Sequence, residues 1–440
     1  MRIRYLFSLL LVSALTSAQD TKRMDEVVRS YVDSGKFMGS VLVARGDQVI
    51  FQKSYGYANL EWKIPNENDG KYRLGSITKQ FTAACILLLE ERGKLKTDDP
   101  VTRYYTAAPA AWDKITLHHL LTHTSGIPNF TSFPDYHSTQ TLPTTPEKEI
   151  ARFRDKPLDF QPGAKWDYSN SNYILLGYII EKVSGMSYAD FLQKNIFDKL
   201  GMKDSGIDSP HPVLAHRTAG YTPRPHGIEN ADFVDMSIPF AAGAIYSTTG
   251  DLLKWSLGLF GDKILKPESR AKMIKPYKQD YGYGIASHLE AGHKIIEHGG
   301  GIDGFNTQIS YYPDDKLTVI ALSNLNGPVG DVAKNLAAIA HNEPVTVPTE
   351  RKAISVAPAI LQGYVGEYIH DQVTATVTIE ANQLYIQLTN QPRFPVFAES
   401  ESRFFLKVVD AQLDFVKDGS GKVTKAILHQ NGQDIDWVRK

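Results

Sequence analysis

The chain has 440 residues, 48 of them basic and 49 acidic for a formal charge of -1, and 42% are hydrophobic. That length is long for one hydrophobic core and calls for a second domain, while the composition is that of a globular protein. The balanced charge gives no support to a nucleic-acid partner, and a single cysteine, Cys85, excludes a disulfide within the chain.

The opening "MRIRYLFSLLLVSALTSAQD" carries Arg2 and Arg4, an apolar run from Tyr5 to Leu15, and small residues around Ala18. This pattern predicts an export signal over residues 1–18, too short to span a membrane comfortably and cleaved near Ala18. The mature protein is then periplasmic or secreted, with no stable membrane span. An uncleaved anchor or a buried first helix is the alternative. "GSVLVARGDQVIFQKSYGYAN" alternates on both sides of Arg45-Gly46-Asp47 and predicts a hairpin. "ITKQFTAACILLLEERGKL" is apolar enough for a buried helix that stops near Gly93, with Cys85 a small core residue. A short helix is expected in "TLHHLLTH", loops and short helices over 128–165, and two longer helical segments in "NYILLGYIIEKVSG" and "YADFLQKNIFDKL". From Tyr281 the period changes to that of strands, and "VGDVAKNLAAIAHN" reads as a last helix. Strands at both ends with helices between predict one α/β domain over 22–343, its terminal strands joined in a single antiparallel sheet with the last helix on one face. Residues 344–358 hold three prolines, at 344, 348 and 358, and read as a stiff linker. Residues 359–440 are short strands with tight turns, as in a small antiparallel β-barrel.

Three short stretches could carry chemistry. In "SITK", Ser76 and Lys79 stand three apart and share a helix face if Ser76 opens the helix. A serine hydroxyl becomes a nucleophile once a neighbour takes its proton, and a desolvated lysine can do that. The same spacing suits a capping serine and a snorkelling lysine, and "SRAK" at 269–272 repeats it on an expected surface helix. In "WDYSNSNY", Tyr168 could shuttle a proton and Asn170 donate to a substrate carbonyl. Alternatively, Asn170 or Ser171 caps a helix starting near Asn172. In "EHGGGIDGF", three glycines after His298 strip a strand of side chains, which suits a substrate backbone lying alongside, or merely a bulge. "HHLLTH" spaces His119 and His123 as a metal pair, but no glutamate or cysteine accompanies them. A structural role for His123 at the next turn is favoured, no metal is expected, and no cofactor-binding glycine loop is present.

In order, "SITK", "YSN" and "HGG" resemble the three elements of the penicillin-recognising serine hydrolases, which include class C beta-lactamases, DD-carboxypeptidases, D-aminopeptidases and esterases. "LLTHTSGIPNF" and "AAGAIYSTTGDLLKW" fit the same setting, so the resemblance spans about residues 22–343. It implies a beta-lactamase-like fold, Ser76 as acylated nucleophile, Lys79 as its paired amine, and Tyr168 and Asn170 as second-motif residues. His298 takes the place of a lysine, Gly300 is the last motif glycine, and the Gly301 N–H completes an oxyanion hole with that of Ser76. The region from "LQGYVGEY" resembles the lipocalin-like tail of some relatives.

The implied reaction is two-step acyl transfer on a small peptide, amide or ester. The base is either Tyr168 or Lys79. Free tyrosine titrates near about pH 10, so a basic Tyr168 needs a nearby charge to lower it, and the Lys79 ammonium is the expected source. Gly299 offers no hydroxyl for a substrate carboxylate, which weakens the carboxypeptidase and penicillin-cleaving readings and resembles D-aminopeptidase-like or esterase-like members. A peptidase or amidase on D-residue peptides (D-aminopeptidase or DD-carboxypeptidase-like) is the first expectation, and a carboxylesterase or beta-lactamase of the same fold is the alternative. The export signal keeps D-residue peptides of the cell wall in view. A non-catalytic binder of wall fragments is the rival reading. Antiparallel edges in the tail suit either a cover for the cleft or oligomer assembly.

Overall fold

A computed structural model describes residues 19–224, 226–345, 353–370, 373–389, 391–406, 411–430 and 433–440. The expected signal segment and part of the expected linker lie outside the described residues. The chain divides into two compact units at Pro348/Thr349.

The first unit is built on a six-stranded antiparallel sheet. Its strands are β1 (Gly39–Arg45), β2 (Gln48–Tyr55), β3 (Ala286–Glu290), β4 (His293–Ile302), β5 (Phe305–Tyr312) and β6 (Leu317–Ser323). The spatial order is β3-β4-β5-β6-β1-β2, so the amino-terminal hairpin pairs with the last strand and the two ends of the unit meet in one sheet. Gly46, at φ +60°, makes the hairpin turn that its position between the two alternating runs predicts.

Strand alternation sends successive side chains to opposite faces. Val41 and Val43 join a core with helices α1 (19–33) and α5 (Val329–Ala340), through Met24, Val27, Val332 and Leu336. Leu42 and Ala44 join the larger core on the other face, which holds α2 (Thr78–Glu91), α3 (Asn170–Ser184) and α4 (Thr249–Phe260). The sheet is therefore covered on both faces, and β6 is buried along its whole length.

Every residue of α2 from Thr78 to Leu89 is buried, as its dense apolar run predicts. The polar groups this buries are paired: Gln80 Oε1 accepts from Trp255 Nε1 at 2.8 Å, and Thr82 Oγ1 donates to the Ala241 carbonyl at 2.7 Å. Beyond Arg92, Gly93 turns the chain at φ +68°. Cys85 is fully buried within this helix. The helix α3 begins at Asn170, two residues before the expected start, and Ser169 at its N-cap makes no side-chain capping bond. Asn170 is thereby released from a capping role.

The second unit is a closed eight-stranded antiparallel barrel. Its last strand, Gln433–Arg439, pairs back on its first, Gly366–His370, through Tyr368↔Arg439 and Ile369↔Val438. Closure removes both sheet edges. The inner positions hold Val377, Leu384, Phe404, Phe415 and Trp437, and the short helix Pro358–Tyr364 adds Leu361 and Tyr364, whose ring stacks on Phe415 at 4.3 Å. Among the described residues, no helix is long and apolar enough to cross a membrane.

Candidate active site

Ser76 lies in a single 3-10 turn, Gly75–Ile77, that runs directly into α2. Gly75 has φ +55°, and a Cβ there would sit 2.9 Å from the Gly301 nitrogen. Only glycine lets this turn approach β4 so closely. One turn on, Lys79 is fully buried on the same helical face. Its Nζ lies 3.0 Å from Ser76 Oγ, 2.8 Å from Asn170 Oδ1 and 2.8 Å from the Ala242 carbonyl. Tyr168 donates its phenol to Ser76 Oγ at 2.8 Å. The hydroxyl, the amine, the phenol and the amide thus converge from the Gly75–Ile77 turn, α2, the loop before α3, and the first residue of α3.

Asn170 is fixed at both ends. Its Nδ2 donates to Thr131 Oγ1 at 3.2 Å, and its backbone N–H donates to Asn129 Oδ1 at 3.0 Å. Tyr168 is held from both flanks by one residue: the His123 carbonyl accepts from Asp167 N–H at 2.9 Å, and His123 Nδ1 accepts from Ser169 N–H at 3.2 Å. The His123 ring lies 4.3 Å from that of Tyr168. His123 sits at φ +56°, just past the short helix Leu117–Leu121, and burial holds it neutral. His119 faces Thr116 as part of that helix's capping box.

The third stretch is the outer end of β4. Pairing of β3 with β4 stops at Ala286↔Glu297, so from His298 onward the strand has β5 on one side and an open edge on the other. Gly300 is required by packing, because a Cβ there would lie 1.9 Å from the Leu74 carbonyl and 2.3 Å from Thr307 Oγ1. A cleft of about 530 Å³ runs along this edge, lined by Ser76, Tyr168, His298 and Gly299 to Gly301, with Gln308 and Asp331 further out.

His298 is not hydrogen-bonded to Ser76, Lys79 or Tyr168. Its Nε2 pairs with the Tyr281 hydroxyl at 2.9 Å, and its Nδ1 faces the Gly299 carbonyl. Burial, reinforced by the nearby Lys79, pushes its pKa down to about 4, so the ring is neutral near pH 7 and does not supply the charge of a lysine.

Electrostatics at the centre reverse one expectation. Burial alone drives the Lys79 ammonium well below the ordinary lysine value. Burial likewise pushes the Tyr168 phenol up, against a smaller downward effect of its hydrogen bond to Ser76. Lys79 Nζ stands 4.8 Å from the Tyr168 ring centroid, and its bonds go to Ser76, Asn170 and Ala242 instead. An ammonium that itself resists charging does not lower the tyrosine.

The sequence reading missed Asn129, Thr131, Ala242 and Tyr281. Asn129 lies inside "LLTHTSGIPNF" and Thr131 just after it, and Ala242 lies inside "AAGAIYSTTGDLLKW", so proximity to those stretches was the available signal. Nothing in the sequence marks Tyr281 as the partner of His298.

The fold, with a serine and a buried lysine at the head of one helix beside an open strand edge, defines a serine hydrolase of the penicillin-recognising class. Residues 24–342 match the family model described as Beta-lactamase, and the chain belongs to that family. Residues 350–439 match a second model, DUF3471, a domain of unknown function. The chain is 31% identical to penicillin-binding protein 4* of Bacillus subtilis, over 95% of this chain and 98% of that protein. It is similar to a solved penicillin-binding protein homologue from Pyrococcus abyssi, described as octameric, at 26% identity and TM-score 0.67, over 94% and 99% of the two chains. It also shares its fold with a D-amino acid amidase from Ochrobactrum anthropi, at 24% identity and TM-score 0.66, over 74% and 99%.

Proposed function

We propose that Ser76 is the acylated nucleophile of an exported peptidase or amidase acting on small substrates with D-residues. The observation that carries this reading is the contact of Ser76 Oγ with both Lys79 Nζ and the Tyr168 hydroxyl. A neutral Lys79 donates its two N–H groups to Asn170 and Ala242, and its lone pair then faces Ser76. Lys79 takes the Ser76 proton as Oγ bonds to the substrate carbonyl carbon. The backbone N–H groups of Ser76 and Gly301 hold the oxyanion, which strengthens as charge develops. As the C–N bond breaks, Tyr168 donates its proton to the departing amine, and the Lys79 ammonium, which shares the Ser76 Oγ neighbourhood with the phenol, returns a proton to the tyrosinate. Water then attacks the acyl-enzyme by the reverse route and releases the acid. Asn170 orients Lys79 and the substrate amide, and His298 orients the strand edge through Tyr281.

The similarity to a penicillin-binding protein supports a cleft that takes a penicillin-like amide, and the apolar run at residues 1–18 supports export to the periplasm or beyond. A carboxylesterase is the second reading, favoured by the missing hydroxyl at Gly299. A non-catalytic binder is disfavoured, because such a protein has no need to keep the serine, lysine and tyrosine in mutual contact. A fluorophosphonate should label the protein on Ser76 and leave Ser76→Ala unlabelled. Purified protein should also hydrolyse D-amino acid amides or D-alanyl peptides along with p-nitrophenyl acetate. A folded protein without an adduct at Ser76 would end the enzymatic reading.

A further inference from the structure

The cleft wraps round the open edge of β4 and so meets both faces of the sheet. His298 and Gly300 point to the face of α2. Glu297, Gly299 and Gly301 point to the face of α5, opposite Ser310, Gln308 and Asn306 of β5. A Cβ at position 299 would lie 2.9 Å from Gln308 Oε1, so the amide oxygen of Gln308 stands in the space that a side chain at 299 would need.

That amide cannot turn round. Its Nε2 donates to Glu297 Oε2 at 2.7 Å and approaches Ser310 Oγ at 3.1 Å, while Ser310 Oγ donates to the same Glu297 oxygen at 2.7 Å. A carboxylate only accepts, so the NH2 end must face Glu297 and the oxygen must face Gly299 and the cleft that both residues line. Charge points the same way. Among the described residues lining the cleft there is no lysine or arginine, and the charged side chain is Asp331. It is exposed in the first turn of α5, where it offsets the positive end of that helix.

We propose that Gln308, oriented by Glu297, is a specificity residue that makes the subsite at Gly299 accept an N–H donor, a carboxamide or ammonium terminus, and reject a free carboxylate. A carboxylate there would set its lone pairs against a fixed carbonyl-type oxygen, in a cleft whose charged side chain is an aspartate, which is discrimination by repulsion. The proposal deepens the hydrolase reading and rests on it for where the scissile carbonyl lies.

The test is a calorimetric titration of the full-length Ser76→Ala protein with N-acetyl-D-alanyl-D-alanine amide and with the matching free acid. The amide should bind about tenfold more tightly, the difference a single well-placed polar contact supplies. Adding Gln308→Lys should reverse the order, and adding Gln308→Met, which keeps bulk and removes the acceptor, should bring the ratio towards one. If the lysine variant does not fold, the methionine variant decides. Equal or tighter binding of the acid to Ser76→Ala, binding of neither compound, or a preference that survives in the folded Gln308 variants overturns the proposal. Failure of the hydrolase reading appears separately, as p-nitrophenyl acetate hydrolysis that persists in Ser76→Ala.

Discussion

Lys79 Nζ has three oxygen neighbours, and a neutral amine can donate to only two of them. That leaves Ser76 as the group whose proton the amine can take, and the lowered lysine and raised tyrosine both favour this assignment. The unfolded chain keeps Lys79 protonated to a higher pH than the folded one does. Between the folded value and the ordinary 10.5, the contribution of Lys79 to stability therefore rises with pH. For the same reason kcat/KM on p-nitrophenyl acetate should rise along one acid limb as Lys79 loses its proton, then level off. Tyr168→Phe should lower kcat by about a hundredfold or more and leave that limb in place, as expected for a lost proton donor. Because burial pushes His298 down to about 4, His298→Gln should not move a limb lying above pH 5. A limb that shifts in either variant reassigns the base to the residue replaced.

At the scale of elements, the site depends on how closely the Gly75–Ile77 turn and the end of β4 approach. Thr307 of β5 ties this junction by donating to the Leu74 carbonyl at 2.6 Å, the oxygen that a side chain at Gly300 would strike. Gly300→Ala should cost about 1–3 kcal/mol through overpacking, and lower activity along with stability. Gly363→Ala serves as the control, since an added Cβ meets nothing within 4 Å in the helix Pro358–Tyr364. Thermal melts of the two proteins check this; equal melting points would show that the junction yields freely. The helices and strands themselves were readable from their apolar periods and glycine stops, as in α2 with Gly93 and the hairpin at Gly46. The start of α3 was not, because the Ser-Asn-Ser run offers several capping residues and the sequence alone does not rank them.

At the scale of the whole molecule, every residue assigned to the site lies in the first unit, which has a core on each face of its sheet. The barrel has a core of its own and closes on itself. A chain ending at residue 348 should therefore fold and hydrolyse p-nitrophenyl acetate at a rate within about threefold of the full chain, given the weak coupling of separately cored domains. An inactive but folded truncation would show that the barrel contributes to catalysis. By itself, the order of residues determined the sheet made from both ends of the first unit and the small β-rich second unit, since these follow from periodicity. The resemblance to a known family, and not spacing alone, marked which serine, lysine, tyrosine and glycines to watch. Only the tertiary structure decided that Lys79 is desolvated, that His298 turns to Tyr281, and that Gln308 fills the space beside Gly299. Burial and side-chain direction depend on neighbours far away in the chain, and no local pattern encodes them.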